Sequence, residues 1–149
     1  MIVQFICRGN AFRSIIAEAY LKSLEIPGVE VLSSGTVASV YMQKNLDDFP
    51  KTLALLKRRG IEKYVKDHIA DDINQSLLDK SDIVIFLNNI ACSEAKTYGL
   101  PEQTYTWDVA DIGEKGRPIT VTADRESYLE DVYKEIVKQV DDLRLSAHF

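Results

Sequence analysis

Four short apolar runs, each separated from the next by stretches of helical character, restrict the fold of this chain more than any other feature. Residues 2 to 6 (IVQFI), 29 to 35 (VEVLSSG), 81 to 89 (SDIVIFLNN) and 103 to 107 (QTYTW) read as strands. Between the first two, Ile15, Ile16, Ala19, Tyr20 and Leu24 recur at helical spacing over residues 14 to 25, and IPG at 26 to 28 ends that helix. A second helix is predicted from Pro50 to its stop at Gly60, a third over DDINQSLLDK (71 to 80), a short one over 91 to 98 and a long amphipathic one over 124 to 145. Residues 37 to 49 show no clean period and are expected to form a long loop. Short strands joined through helices cannot be hairpins, because parallel neighbours need crossover connections. The expected fold is therefore α/β: a single-domain three-layer sandwich over residues 1–149, with a four-stranded parallel sheet and helices on both faces.

Composition removes several classes of function. A net charge of -5 with one short basic cluster, Lys57-Arg58-Arg59, argues against nucleic acid or an anionic membrane as partner. That cluster precedes Gly60 and reads as charge placed at a helix C-terminus and in solvent. The start carries neither the basic region nor the long apolar segment of a secretion signal, so a cytoplasmic location is expected. Cys7 and Cys92 are the only cysteines. They cannot build a disulfide framework, and no Cys/His cluster supplies the ligands of a structural zinc.

Ligands of parallel sheets bind beyond the carboxyl ends of the strands, at helix N-termini. The stretch CRGNAFRS, Cys7 to Ser14, stands at such a place after the first strand. A tight loop there can turn its backbone N–H groups onto one oxyanion, with the helix dipole adding partial positive charge. Gly9 and Asn10 tolerate the left-handed conformations such a loop requires. Arg13 offers a planar fork for two oxygens of a phosphate-sized ion. Cys7 lies in the same positive field, which favours its thiolate and makes it a nucleophile. Ser14 can donate a hydrogen bond to the sulfur.

The sequence ICRGNAFRSIIAEAYL resembles the N-terminal signature of the low-molecular-weight protein tyrosine phosphatases and the related arsenate reductases, through Cys7, Gly9, Asn10, Arg13, Ser14, Ala17 and Glu18. SSGT (Ser33 to Thr36) and HIA (His68 to Ala70) are similar to two further segments of that family. The resemblance implies a phosphomonoester hydrolase working through a phosphocysteine, with no metal or organic cofactor. Its substrate would be a phosphorylated protein or small phosphoester, and phosphate and vanadate would inhibit it. It implies Cys7 as nucleophile and a substrate loop of Arg8, Gly9, Asn10, Ala11, Phe12, Arg13 and Ser14. It also implies a supporting network of Asn10, Ser14, Ser33 and His68. The general acid falls on Asp111, with Asp108 as fallback; a proton donor at the leaving group is typically worth a factor of about a hundred or more.

Departures from the family pattern bear on substrate and redox behaviour. Ile112 stands where the family has the proline that follows its acid, Phe12 where a second loop cysteine is common, and Arg8 where an apolar or small residue is common. The family's paired tyrosines are missing, which leaves Tyr41 or Phe49 as candidates for the wall of the pocket. Trp107 reads as a packing residue at a strand end, and Cys92 as a partly buried residue at a helix start. Two alternatives stay open: an arsenate reductase-like enzyme resolved by an external thiol, and a catalytically weak phosphate-binding module.

Overall fold

The computed structural model describes residues 1–109, 122–147 and 149. Strands β1 (Ile2–Cys7), β2 (Glu30–Gly35), β3 (Ile83–Phe86) and β4 (Gln103–Thr106) form a parallel sheet in the order β2-β1-β3-β4. The helices are α1 (Arg13–Ser23), α2 (Ala38–Lys44), α3 (Asp48–Arg58), α4 (Gln75–Lys80), α5 (Asn89–Glu94) and α6 (Thr122–Ala147), with a 3-10 turn at Glu62–Tyr64.

Side-chain alternation along the strands separates two cores. Val3, Phe5, Ile83 and Ile85 pack with residues of α1, α3 and α6, whereas Ile6, Val84 and Phe86 pack with residues of α4 and α5. This is the expected three-layer sandwich, with helices on both faces of a parallel sheet. α1 is covered nearly all round: Ile15, Ile16, Ala17, Ala19 and Leu21 are buried. The polar residue inside β1, Gln4, is fully buried but satisfied, donating to Ser81 Oγ at 3.0 Å and accepting from Ser34 Oγ at 2.8 Å. Tyr20 of α1 donates to Asp141 Oδ1 of α6 at 2.8 Å, which ties the two helices of that layer together. None of the helices among the described residues is long and apolar enough to cross a membrane.

Several boundaries differ from the sequence expectation. Residues 37 to 49 are not one long loop: they contain α2 and the start of α3. Only Ala38 of α2 is buried, so the helix has no apolar stripe for periodicity to reveal. α3 begins at Asp48, which puts Pro50 in its first turn, where a missing N–H costs nothing. α4 begins at Gln75 and not at Asp71. Asn74 caps it by accepting from Leu77 N–H at 2.9 Å, and the residues before the cap run beside Gly35, whose N–H donates to the Asp71 carbonyl and whose carbonyl accepts from Ile73 N–H. α5 is likewise set by its cap, Asn88, so it starts at Asn89 and contains Cys92 within it. The basic cluster ends α3 as expected, and Arg58 and Arg59 also pair with Glu130 of α6.

Candidate active site

The register places Cys7, the last residue of β1, beside Gly35, the last of β2. The chain then turns through 8 to 12 and enters α1 at Arg13. Asn10 adopts a φ of +51°, a left-handed conformation that asparagine tolerates better than most residues. Gly9 lies flat under the Tyr41 ring, where an added Cβ would come within 2.4 Å of Cδ1. Gly35 is equally confined, since its Cβ would meet the Arg8 carbonyl oxygen at 2.5 Å. These two glycines let β2 and α2 press against the loop.

The loop's carbonyl groups are engaged from behind. Thr36 N–H donates to the Cys7 carbonyl at 3.0 Å and Val37 N–H to the Arg8 carbonyl at 2.9 Å. The Thr52 hydroxyl donates to the Ala11 carbonyl at 2.6 Å, and Ile16 N–H to the Phe12 carbonyl at 3.0 Å. In front of them lies a pocket lined by Cys7, Arg8, Gly9, Ala11, Phe12, Arg13 and Tyr41, open at the N-terminus of α1. Arg13 is 3% exposed and donates through Nη1 to the Val109 carbonyl at 2.9 Å, which fixes its fork beneath the pocket.

The Asn10 side chain determines the proton arrangement. Its Oδ1 accepts the Asp71 backbone N–H at 3.0 Å, so the amide orientation is settled by a group that can only donate. His68 Nε2, 2.7 Å from the same oxygen, must therefore carry its proton and donate. Asn10 Nδ2 spends its two hydrogens on Ser14 Oγ at 2.9 Å and Ser33 Oγ at 3.0 Å. Ser33 donates onward to Glu18 Oε1, and Glu18 Oε2 takes Lys22 Nζ at 2.5 Å. Ser14 Oγ stands 3.0 Å from Cys7 Sγ, and it is the donor when the sulfur is a thiolate, which can only accept. Cys7 Sγ also accepts the Asn10 backbone N–H at 3.2 Å. The sulfur thus sits at the N-terminus of α1 with a backbone N–H and a serine hydroxyl within hydrogen-bonding distance. Burial pushes the His68 imidazole below its ordinary value, against the pull of the Glu18 carboxylate 3.7 Å from Nδ1.

A family model for low molecular weight phosphotyrosine protein phosphatases matches residues 2–143. The chain belongs to that family. Among its relatives, arsenate reductase 2 of Staphylococcus epidermidis is 32% identical over 93 residues, which are 62% of this chain and 61% of that protein. The protein-arginine-phosphatase of Geobacillus stearothermophilus is 37% identical over 60 residues, 40% of this chain and 38% of that protein. The matched stretch is thus less than two thirds of the length of either. The solved low molecular weight protein tyrosine phosphatase of T. tengcongensis shares the fold with a TM-score of 0.73 at 24% identity, over 98% of this chain and 99% of that one.

Of the residues singled out in this family member's sequence, Cys7, Arg8, Gly9, Ala11, Phe12 and Arg13 line the pocket, while Asn10 and Ser14 are fully buried behind it, with Asn10 bonded to Ser33 and to the partly buried His68. Asp111 and Ile112 lie outside the described residues. Asp108 is exposed just past β4, one residue before the Val109 that takes Arg13. Trp107 packs on Phe5 with ring centroids 5.9 Å apart, as expected of a strand-end aromatic. Of the two wall candidates, Tyr41 lines the pocket and its hydroxyl donates to Asp48, whereas Phe49 stands 6.1 Å from the His68 ring. Sequence reasoning assigned no role to Glu18, Thr52, Asp71, Glu94 or the Val109 carbonyl. Only Glu18 left a signal, as the glutamate of the matching Ala-Glu pair.

Proposed function

We propose that the chain is a cysteine-dependent phosphatase whose Cys7 thiolate attacks phosphorus in line, forming the S–P bond as the leaving-group bond breaks. Arg13 and the loop amides hold the equatorial oxygens. Asp111 protonates the leaving atom, and then, as base, takes a proton from the water that hydrolyses the phosphocysteine to phosphate and free thiolate. The substrate is a phosphorylated protein residue or small phosphoester. Residues 1–149 act as one domain, in the cytoplasm, and phosphate and vanadate occupy the loop as inhibitors. The observation that carries this reading is the Cys7 sulfur, which accepts Asn10 N–H and lies 3.0 Å from Ser14 Oγ while sharing its pocket with Arg13.

Phosphate release from p-nitrophenyl phosphate by the wild type, Cys7→Ser and Asp111→Ala tests it. The expected order is wild type far above both variants, with Cys7→Ser inactive. A wild type no faster than Cys7→Ser removes the phosphatase reading. An Asp108→Ala variant slower than Asp111→Ala on a poor leaving group moves the acid to Asp108. Parallel assays on phosphotyrosine and phosphoarginine peptides separate the two protein substrates suggested by the family description and by the protein-arginine-phosphatase relative.

The likeness to an arsenate reductase favours a second reading, reduction of arsenate in the same pocket. Only Cys92 accompanies Cys7 in these 149 residues, too few for a relay through two further cysteines, so the resolving thiol would come from outside. Thiol-dependent arsenite production by the wild type, abolished in Cys7→Ser, would establish it.

A further inference from the structure

Arg8 is the second residue of the loop, and its guanidinium reaches across to α5. There Nε and Nη2 donate to the two carboxylate oxygens of Glu94 at 2.9 and 3.3 Å. The oxygen that takes Arg8 Nε also accepts from the Thr36 hydroxyl at 2.9 Å. Thr36 in turn donates its backbone N–H to the Cys7 carbonyl at 3.0 Å, and Val37 N–H donates to the Arg8 carbonyl at 2.9 Å. A ring is closed, from Arg8 through Glu94 and Thr36 back to Cys7. In a planar trans peptide the C=O and the following N–H point opposite ways. Holding the Cys7 and Arg8 carbonyls toward residues 36 and 37 therefore turns the Arg8 and Gly9 N–H groups to the other side, the side of the pocket.

We propose that Glu94 is a positioning residue for the oxyanion site: by gripping the Arg8 side chain and the Thr36 hydroxyl together, it keeps the first two peptide planes of the loop aimed at the bound oxyanion. The proposal rests on the loop being an oxyanion site, and it names a residue on a different element, 80 or more positions from the nucleophile. The pair is partly exposed, at 38% for Arg8 and 29% for Glu94, so its contribution to global stability is small. Its bidentate geometry is what supplies directional restraint.

Electrostatics and positioning predict opposite signs for one substitution. Glu94→Gln removes a negative charge near a site for anions, which by charge alone tightens phosphate binding. Loss of the grip loosens the loop amides and weakens it.

The test measures inorganic phosphate binding by calorimetry, and phosphate protection of Cys7 from iodoacetamide at pH 7, with peptide masses separating Cys7 from Cys92. Turnover of p-nitrophenyl phosphate is followed in parallel. Glu94→Gln is expected to weaken phosphate about three- to tenfold, the size of one modest hydrogen bond, while its urea midpoint stays at the wild-type value. Arg8→Lys, which keeps the charge and loses the fork, should weaken phosphate similarly. The double variant Arg8→Gln with Glu94→Gln should lose less than the sum of the two single losses, because the two residues share one grip on the loop. Unchanged or tighter phosphate binding in Glu94→Gln, wild-type binding in Arg8→Lys, or an additive loss in the double variant would each overturn the proposal. A wild type that binds phosphate but does not turn over substrate removes the phosphatase reading and leaves the binding comparison decisive for Glu94. A wild type that binds no phosphate overturns both.

Discussion

Asn10 Nδ2 donates to Ser14 Oγ at 2.9 Å, and that oxygen stands 3.0 Å from Cys7 Sγ. In the proposed reaction the thiolate sulfur can only accept, so the Ser14 hydroxyl would donate to it as nucleophile and again as leaving group. Ser14→Ala should therefore slow breakdown of the phosphocysteine. A hydrogen bond to a charged partner contributes about 1.5–3 kcal/mol, which corresponds to a loss of roughly 10- to 100-fold in kcat. Phosphate affinity, set by Arg13 and the amides, should hold. Burst kinetics with p-nitrophenyl phosphate check this; a Ser14→Ala enzyme with wild-type kcat would show that the hydroxyl is spectator to the chemistry.

Asn10 combines a backbone role with a side-chain role, and two substitutions separate them. Glycine accepts a φ of +51° without strain but deletes the network, whereas alanine deletes the network and strains the backbone by about 1 kcal/mol or more. Both variants should lose activity to a similar degree. Alanine should unfold at lower urea concentration than glycine. Equal midpoints for the two would mean that the left-handed turn relaxes at no cost.

The loop was legible in the sequence, and only part of its bracing was. Cys7, Arg13 and Ser14 are local: five residues separate a strand-end cysteine from a helix-start arginine, and the strand and helix around them have clear periods. Asn10, Ser33 and His68 were named through the family resemblance, and the hydrogen bonds of Asn10 reach Ser14, Ser33 and His68. Glu94, Thr52 and the Val109 carbonyl reach the loop from α5, α3 and the end of β4. Such contacts depend on how elements pack, and a backbone carbonyl leaves no trace in residue identity. α2 escaped for a related reason, because a helix that buries only Ala38 carries no amphipathic signal. The start of α4 was misjudged because an acidic pair that suits a helix N-terminus lies instead in the extended segment beside Gly35.

Tyr41 covers Gly9 so closely that a methyl group there must displace the ring. Gly9→Ala is expected to destabilise the fold by about 1–3 kcal/mol and to weaken phosphate binding, since the ring presses on the loop. The second substitution Tyr41→Ala should restore part of both by making room. Urea unfolding and phosphate calorimetry on the four members of this cycle give the coupling. Purely additive effects would show that Gly9 is constrained by something other than the ring.

Alkaline stability depends on Tyr20. Burial and the hydrogen bond to Asp141 push its hydroxyl up to about 12 from an ordinary value of 10. The neutral form is favoured in the folded state, so its stabilisation is complete below pH 10 and is lost as pH rises from 10 towards 12. Tyr20→Phe should be less sensitive to pH across that window than the wild type. Parallel declines in urea midpoint for the two proteins would locate the alkaline transition elsewhere.

His68 gives the corresponding prediction at acid pH, where two influences oppose each other. Burial favours the neutral imidazole, Lys22 adds to that preference, and the Glu18 and Asp71 carboxylates favour the charged form. The folded value lies below the ordinary 6.5, so burial wins. Below about pH 6.5 the unfolded chain binds more protons at this position than the folded one, and stability falls with pH until the folded value is passed. Because His68 Nε2–H holds Asn10 Oδ1, the same window should affect the loop through Asn10 and Ser14. His68→Gln keeps an N–H donor and removes the titration. Its urea midpoint should therefore vary less than that of the wild type between pH 7 and pH 5. A wild-type midpoint that rises on acidification, and a flat one in His68→Gln, would mean that the Glu18 carboxylate outweighs burial and that His68 is charged in the working enzyme.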